Sequence, residues 1–460
     1  MTRLMPFICL LLVCASLGYA PAAAADASSE TATPIKHFIT LMQSNRSFDN
    51  YFGTYPGADG IPPDTCMPVD PPGETSKDCV KPFHVQNFEE DLSHTHLTFT
   101  RQYRAGAMDG FIDAFRKRGE LFSWTMGWLN DEDVPFDWNV ADQYVLFDRY
   151  FTSATAGSTP NRMFWVSGQP GVTNLNQVGI PTTGWGDIPT IFDSLQASGI
   201  SWKFYIENYD KNKDINYRNR GDGGISAQFA WAPVLSFARF IDDPDLSKNI
   251  VDLNQYYTDL EQGTLPAVSY VVTVGSSEHP PSNPVTGQRL IRKMITALMQ
   301  SDAWPSSAFM WAHDDWGGWY DHVSPPQVDQ FGYGFRAPAL LVSPYAKKGF
   351  IDSTTLDHTS VLRFIEDNWG LAPLAERDAN ANSFINAFDF TQPPRPPALI
   401  SMSRTPPAQL IIPDRSKIYG VYAGATGFAV LVVIAALVWT ESSRLRLRGS
   451  RRQALKRGHT

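Results

Sequence analysis

Ala312-His313-Asp314-Asp315-Trp316-Gly317-Gly318-Trp319-Tyr320-Asp321-His322 follows the apolar run Ser307 to Trp311. The run predicts a buried strand, and the two glycines let the chain turn sharply just after it. Two adjacent carboxylates, Asp314 and Asp315, are thereby set at a strand's end. Neighbouring anions at the rim of a sheet repel unless a cation or a shared proton lies between them, and hard oxygen ligands suit a divalent metal. Asp and Gly are also ordinary turn residues, so a solvated turn is the competing reading of this stretch alone.

The same pattern recurs upstream. Ile35 to Met42 is apolar, follows Pro34 and predicts a central strand, after which Gln43-Ser44-Asn45-Arg46-Ser47-Phe48-Asp49 turns abruptly polar. Open α/β sheets bind ligands at such carboxyl ends; a helix N-cap at Ser44 or Asn45 is the plainer alternative. Ala267 to Val274 predicts a strand that runs into Gly275-Ser276-Ser277-Glu278-His279. After the apolar Tyr144 to Phe151 comes Ala156-Gly157-Ser158-Thr159-Pro160-Asn161-Arg162. Pro160 suits the first position of a helix with Thr159 as N-cap, which leaves Ser158 facing a helix N-terminus. Unpaired N–H groups and the helix dipole favour anions there, so the position both holds a phosphate and stabilises an alkoxide. Helices over Pro189–Ser198 and Arg289–Gln300, strands over Ile200–Ile206 and Pro338–Val342, and a helix starting at Ser360 after Asp357-His358-Thr359 complete an α/β alternation around a central, mostly parallel sheet. Residues 208–224, rich in Asn, Asp and Gly, form a loop that suits a lid.

The ends of the chain differ from its body. Residues 1–25 start with Arg3, continue apolar from Met5 to Tyr19 and finish in Ala22-Ala23-Ala24-Ala25, the layout of a secretory signal peptide. Residues 418–439 are a charge-free run of about 20 apolar or small residues, enough for a single transmembrane helix. Arg444, Arg446, Arg448, Arg451, Arg452, Lys456 and Arg457 follow, which puts the tail 440–460 in the cytoplasm and the body outside the cell membrane. Residues 401–417 link the body, 34–400, to that span. Cys66 and Cys79 are the only cysteines of the exported part and predict a disulfide around the Pro-rich loop Ile61 to Pro72. Of the formal net charge of −9, Arg3 and the seven tail cations are positive, leaving −17 between Arg3 and Arg444. So acidic a surface excludes nucleic-acid binding by field, and any phosphate must be met by local cations. Oligomeric state is left open.

Ile35 to Gln43, leading into Asn45-Arg46-Ser47-Phe48-Asp49, resembles the opening signature of the bacterial phosphoesterase family that includes non-haemolytic phospholipases C and related acid phosphatases. Asp91-Leu92-Ser93-His94, Gly106-Ala107-Met108-Asp109-Gly110-Phe111 and Trp202-Lys203-Phe204-Tyr205 continue the likeness, which runs from about Ile35 to about Leu371. The resemblance implies an alkaline phosphatase-like fold and a divalent metal. Asn45, Ser158, Asp314 and Asp315 match its metal ligands, and Ser44 stands where the family has a ligating Glu, removing one charge from the set. Ser158, two residues before the Pro-Asn pair, matches the nucleophile. His94 matches a family histidine near the phosphate, His279 one at the family's active site, and His358 a family histidine whose role is either catalytic or packing; His322 matches a family position with a structural role. The function implied is hydrolysis of phosphate esters, foremost as a phospholipase C acting through a phospho-serine. A monoester-cleaving acid phosphatase is the second reading, and a membrane-anchored phosphate-binding protein without turnover is the third.

Overall fold

Phe38-Ile39-Thr40-Leu41-Met42 carries no charge and is buried on both faces, the pattern of a strand covered from above and below. The structure is a computed structural model that describes residues 30–404 apart from 71–77, 86–89, 117–121, 177–178, 214 and 220–226. Its eight-stranded sheet comprises β1 (His37–Gln43), β2 (Val145–Phe147), β3 (Trp202–Ile206), β4 (Ile250–Asp252), β5 (Val268–Val272), β6 (Ser307–His313), β7 (Ala339–Val342) and β8 (Phe350–Asp352). The spatial order is β8-β2-β7-β6-β1-β5-β3-β4. β7 pairs antiparallel with both its neighbours and every other pairing is parallel, so the sheet is mostly parallel, as the alternation predicts.

Helices cover both faces. On one, Trp165 of α3 (Ser158–Ser167) donates its indole N–H to Thr40 Oγ1, and Phe364 of α4 (His358–Trp369) lies 4.8 Å from Phe38, centroid to centroid. On the other, Phe136 of α2 (Pro135–Gln143) stacks 6.2 Å from Trp311. Leu41 is paired with Trp311 and is three residues from Phe38, hence on the opposite face by strand alternation. These contacts belong to one continuous apolar core that spans both faces of the sheet, beside smaller apolar clusters under the loops.

β6 extends two residues beyond its apolar run. His313 pairs in register with Gln43 and bonds Glu278, so a polar residue is tolerated at the strand's last position. α3 begins at Ser158, with Gly157 as N-cap, instead of at Pro160 with Thr159 as N-cap. The first N–H groups of a helix lack intrahelical partners, so proline costs no hydrogen bond at the third position either. The polar segment after β1 does not cap a helix at Ser44 or Asn45; Ser47 caps the short α1 (Phe48–Phe52). Cys66 and Cys79 are joined, with Cα atoms 5.3 Å apart. Among the described residues no helix is long and apolar enough to cross a membrane. The expected signal peptide, transmembrane span and basic tail lie outside the described residues.

Candidate active site

The register fixes which loops meet. Gln43 of β1 faces His313 of β6, and Met42 faces Val272 of β5, which faces Ile206 of β3. Ser44-Asn45, Asp314-Asp315, the loop to His279, and Glu207 therefore emerge side by side at the carboxyl edge of the sheet. The loop after β2 adds α3. Asn161 holds that loop: its Oδ1 accepts Ala154 N–H at 2.8 Å and its Nδ2 donates to the carbonyls of Ala156 and Gly157.

Ser158 Oγ donates to Asp315 Oδ2 at 3.0 Å. Asp315 Oδ1 accepts Gly317 N–H at 2.8 Å, and Asp314 Oδ1 accepts the backbone N–H groups of Asn45 at 3.1 Å and Asp315 at 2.8 Å. Both carboxylates are fully buried. Burial pushes Asp315 up to about 7, with Asp314 adding repulsion and His94 partly offsetting both. Burial opposes ionisation of Asp314 too, yet the Arg162 guanidinium holds it below its usual range. Asn45 adopts the left-handed region at φ 64°, tolerated by Asn because its short polar side chain bonds locally. Gly317 is required opposite it, since a Cβ there would collide with the Asn45 carbonyl.

Three histidines line or support this pocket in different ways. His94 donates from Nδ1 to the Leu92 carbonyl at 2.8 Å, leaving Nε2 to accept from Asn45 Nδ2 at 3.2 Å. Burial disfavours its charge, but Asp315, the Leu92 carbonyl, Asp91 and Asp314 outweigh it and raise its pKa. The ring sits against Gly157, immediately before Ser158. His279 donates from Nδ1 to the Pro280 carbonyl at 2.6 Å, which leaves Nε2 free of that bond; its ring stands 6.3 Å from His94 and 5.9 Å from Trp231. Ser158, His94 and His279 are half-buried, so this side of the site meets solvent. His358, a candidate catalytic residue from sequence, is placed otherwise. It is fully buried, its Nε2 bonds the Asp314 carbonyl at 2.9 Å and its Nδ1 the Tyr150 hydroxyl at 3.0 Å. With both nitrogens engaged it orients the Asp314 backbone and has no nitrogen left for a substrate. His322 joins Asp49, Asp59 and Arg336 in a separate ion network, a structural place as expected.

The sequence reading gave Arg162 no role. Its Nε donates to Asp314 Oδ2 at 2.8 Å, Nη2 to Ser44 Oγ at 2.9 Å and the Gln43 carbonyl at 3.3 Å, and Nη1 to the Trp231 carbonyl at 3.0 Å. Ser44 is thus engaged by a guanidinium–carboxylate pair, which takes its hydroxyl out of the expected ligand set. The signal was present, since Arg162 lies one helical turn after Ser158, but its partners come from three distant segments. Among the described residues no three His, Cys, Asp or Glu side chains cluster as a metal site. The oxygens gathered here come instead from two Asp, one Asn and one Ser, and Asn45 Oδ1 is buried with no hydrogen-bond partner. That all-oxygen set fits a hard divalent cation.

A model of the Phosphoesterase family matches residues 35–372. Phospholipase C B of Mycobacterium tuberculosis is 29% identical over 428 residues, covering 79% of each chain. The non-hemolytic phospholipase C of Pseudomonas aeruginosa is 27% identical over 428 residues, covering 79% of this chain and 58% of that protein. Among solved structures, a protein in the alkaline phosphatase superfamily from Vibrio parahaemolyticus superposes with a TM-score of 0.38 at 12% identity, over 77% of this chain and 72% of that one.

Proposed function

The chain belongs to the Phosphoesterase family and is a hydrolase of phosphate esters, and from that premise we propose that it is a phospholipase C, cleaving phospholipid headgroup esters through a phospho-serine on an alkaline phosphatase-like scaffold. The observation that carries the reading is Ser158 at the first turn of α3 with its hydroxyl on a buried carboxylate. Asp315 Oδ2 takes the Ser158 proton as Oγ attacks phosphorus, and the bond from phosphorus to the leaving oxygen breaks in line. His279 Nε2 protonates the leaving alkoxide. His94 packs on the nucleophile's side, where it holds the Asn45 amide in place. Water then approaches from the side the leaving group vacated, so the same His279 is its base by microscopic reversibility, and Ser158 recovers its proton from Asp315. Asn45, Ser158, Asp314 and Asp315 would hold a divalent cation, which would supply charge stabilisation for the phosphoryl oxygens. The span 418–439 would tether this domain to the outer side of the cell membrane.

The test is hydrolysis of p-nitrophenyl phosphorylcholine and phosphatidylcholine beside p-nitrophenyl phosphate, with metal content measured on the same protein. Ser158→Ala should cost roughly 10⁴- to 10⁶-fold in kcat. Native rates in that variant would end the assignment. Preference for the monoester would make the protein a phosphatase, and bound phosphate without turnover in the wild type would make it a binding protein.

A further inference from the structure

We propose that Glu207 is a positioning residue for His279, an inference that rests on the role given to that histidine above. Glu207 follows β3, the strand beside β5 in the sheet. Its Oε2 accepts three consecutive backbone N–H groups of the loop leaving β5: Val274 at 2.7 Å, Gly275 at 2.7 Å and Ser276 at 2.9 Å. Its Oε1 accepts Ser276 Oγ at 2.8 Å. Three successive N–H groups converging on one point form a concavity suited to an anion; here the chain fills it with its own carboxylate. Charge-assisted bonds of this kind are about twice as strong as neutral ones.

The loop is clamped again two residues before His279 and at the residue directly preceding it. Ser44 N–H donates to the Ser277 carbonyl at 3.0 Å. Glu278, buried and at φ 59°, accepts from Tyr51 Oη at 2.7 Å and bonds His313 Nε2 at 3.2 Å. Glu278 anchors the far end of the loop to β6 and α1, and Glu207 anchors the near end to β3. His279 protrudes from a segment fixed at both ends. Without Glu207, the near half of the loop keeps its backbone donors but loses the acceptor that orders them, and His279 Nε2 no longer sits within proton-transfer reach of the leaving oxygen.

A mispositioned acid is distinguished from a damaged fold by the leaving group. Nitrophenolate departs without a proton, whereas a diacylglycerol alkoxide needs one. In Glu207→Ala, kcat/KM for dihexanoyl phosphatidylcholine should fall by ~10²-fold while that for p-nitrophenyl phosphorylcholine stays within roughly threefold. The nitrophenyl substrate should also show a burst of product, because water attack on the phospho-serine loses its base. Glu207→Gln keeps an acceptor oxygen toward the three N–H groups and should recover most of the lost rate. Equal losses on both substrates, or none on either, overturn the proposal. His279→Ala serves as the reference: if it lacks the same leaving-group selectivity, the assignment of His279 fails instead.

Discussion

Arg162 and Asp314 form an ion pair with side chains 1% and 0% exposed, linked at 2.8 Å. Bringing two charges into the interior is costly, so the pair by itself is weak support for stability, but removing one member strands the other. Arg162→Ala should destabilise the domain by about 3–5 kcal/mol, read from denaturant unfolding. Asp314→Asn in that background should return part of the loss, because no uncompensated charge remains; equal stability of the single and double variants would mean that packing, not charge, is the cause. The same pair shows what the sequence could and could not convey. Asn45 and Asp314 were legible as site candidates because each lies just after an apolar strand, a local signal, Ser158 because Pro160 marks a helix start and the family's nucleophile stands two residues before its Pro-Asn pair, and His279 through the family resemblance. Arg162 and Glu207 were not, because their meaning depends on which strand ends become neighbours. For His358 the sequence left catalysis and packing open, because a histidine's role is set by its partners, here Tyr150 and Asp314, both far away in the chain.

At the level of elements, α4 carries a buried carboxyl group that faces Asp378. Glu366 is 2% exposed, its oxygens find no hydrogen-bond partner, and it lies beside the Asp378 carboxylate. Burial first, and Asp378 second, push it up to about 9. Its folded pKa is raised above the unfolded value, so between roughly pH 4.5 and 9 the native state keeps a proton that the unfolded chain releases. The unfolded state then binds fewer protons and stability falls as pH rises through that window. Glu366→Gln removes the titration while keeping the shape. The melting temperature of the variant should exceed that of the wild type by a margin that widens from about pH 5 to about pH 9, at no more than ~1.4 kcal/mol per pH unit. Parallel melting curves across pH would show that Glu366 is ionised in the native state. Element boundaries were less legible than element types. α3 starts two residues before its proline because the first turn of a helix has no N–H bonds for proline to break, and β6 ends two residues after its apolar run because Glu278 meets the polar His313.

For the whole molecule, the mostly parallel sheet gathers the reactive residues at one edge, while the sequence between Arg3 and Arg444 carries a formal net charge of −17. Among the described residues the exposed large apolar side chains are Leu97, Val328, Ile385 and Leu399, scattered along the sequence. Isolated apolar residues of this kind supply little adsorption to a bilayer, so for a protein comprising residues 30–404, encounter with lipid is governed by charge. A negative protein approaching a negative bilayer is repelled over the Debye length, about 10 Å at 0.1 M salt. Phosphatidylcholine hydrolysis in vesicles containing phosphatidylglycerol should therefore be severalfold slower than in pure phosphatidylcholine at low salt. Added salt should close the gap, because it screens the repulsion without changing the site, and rates on pure phosphatidylcholine should hardly respond. Faster hydrolysis on the anionic vesicles at low salt would instead mean that a local cationic surface around the pocket outweighs the net charge of the molecule.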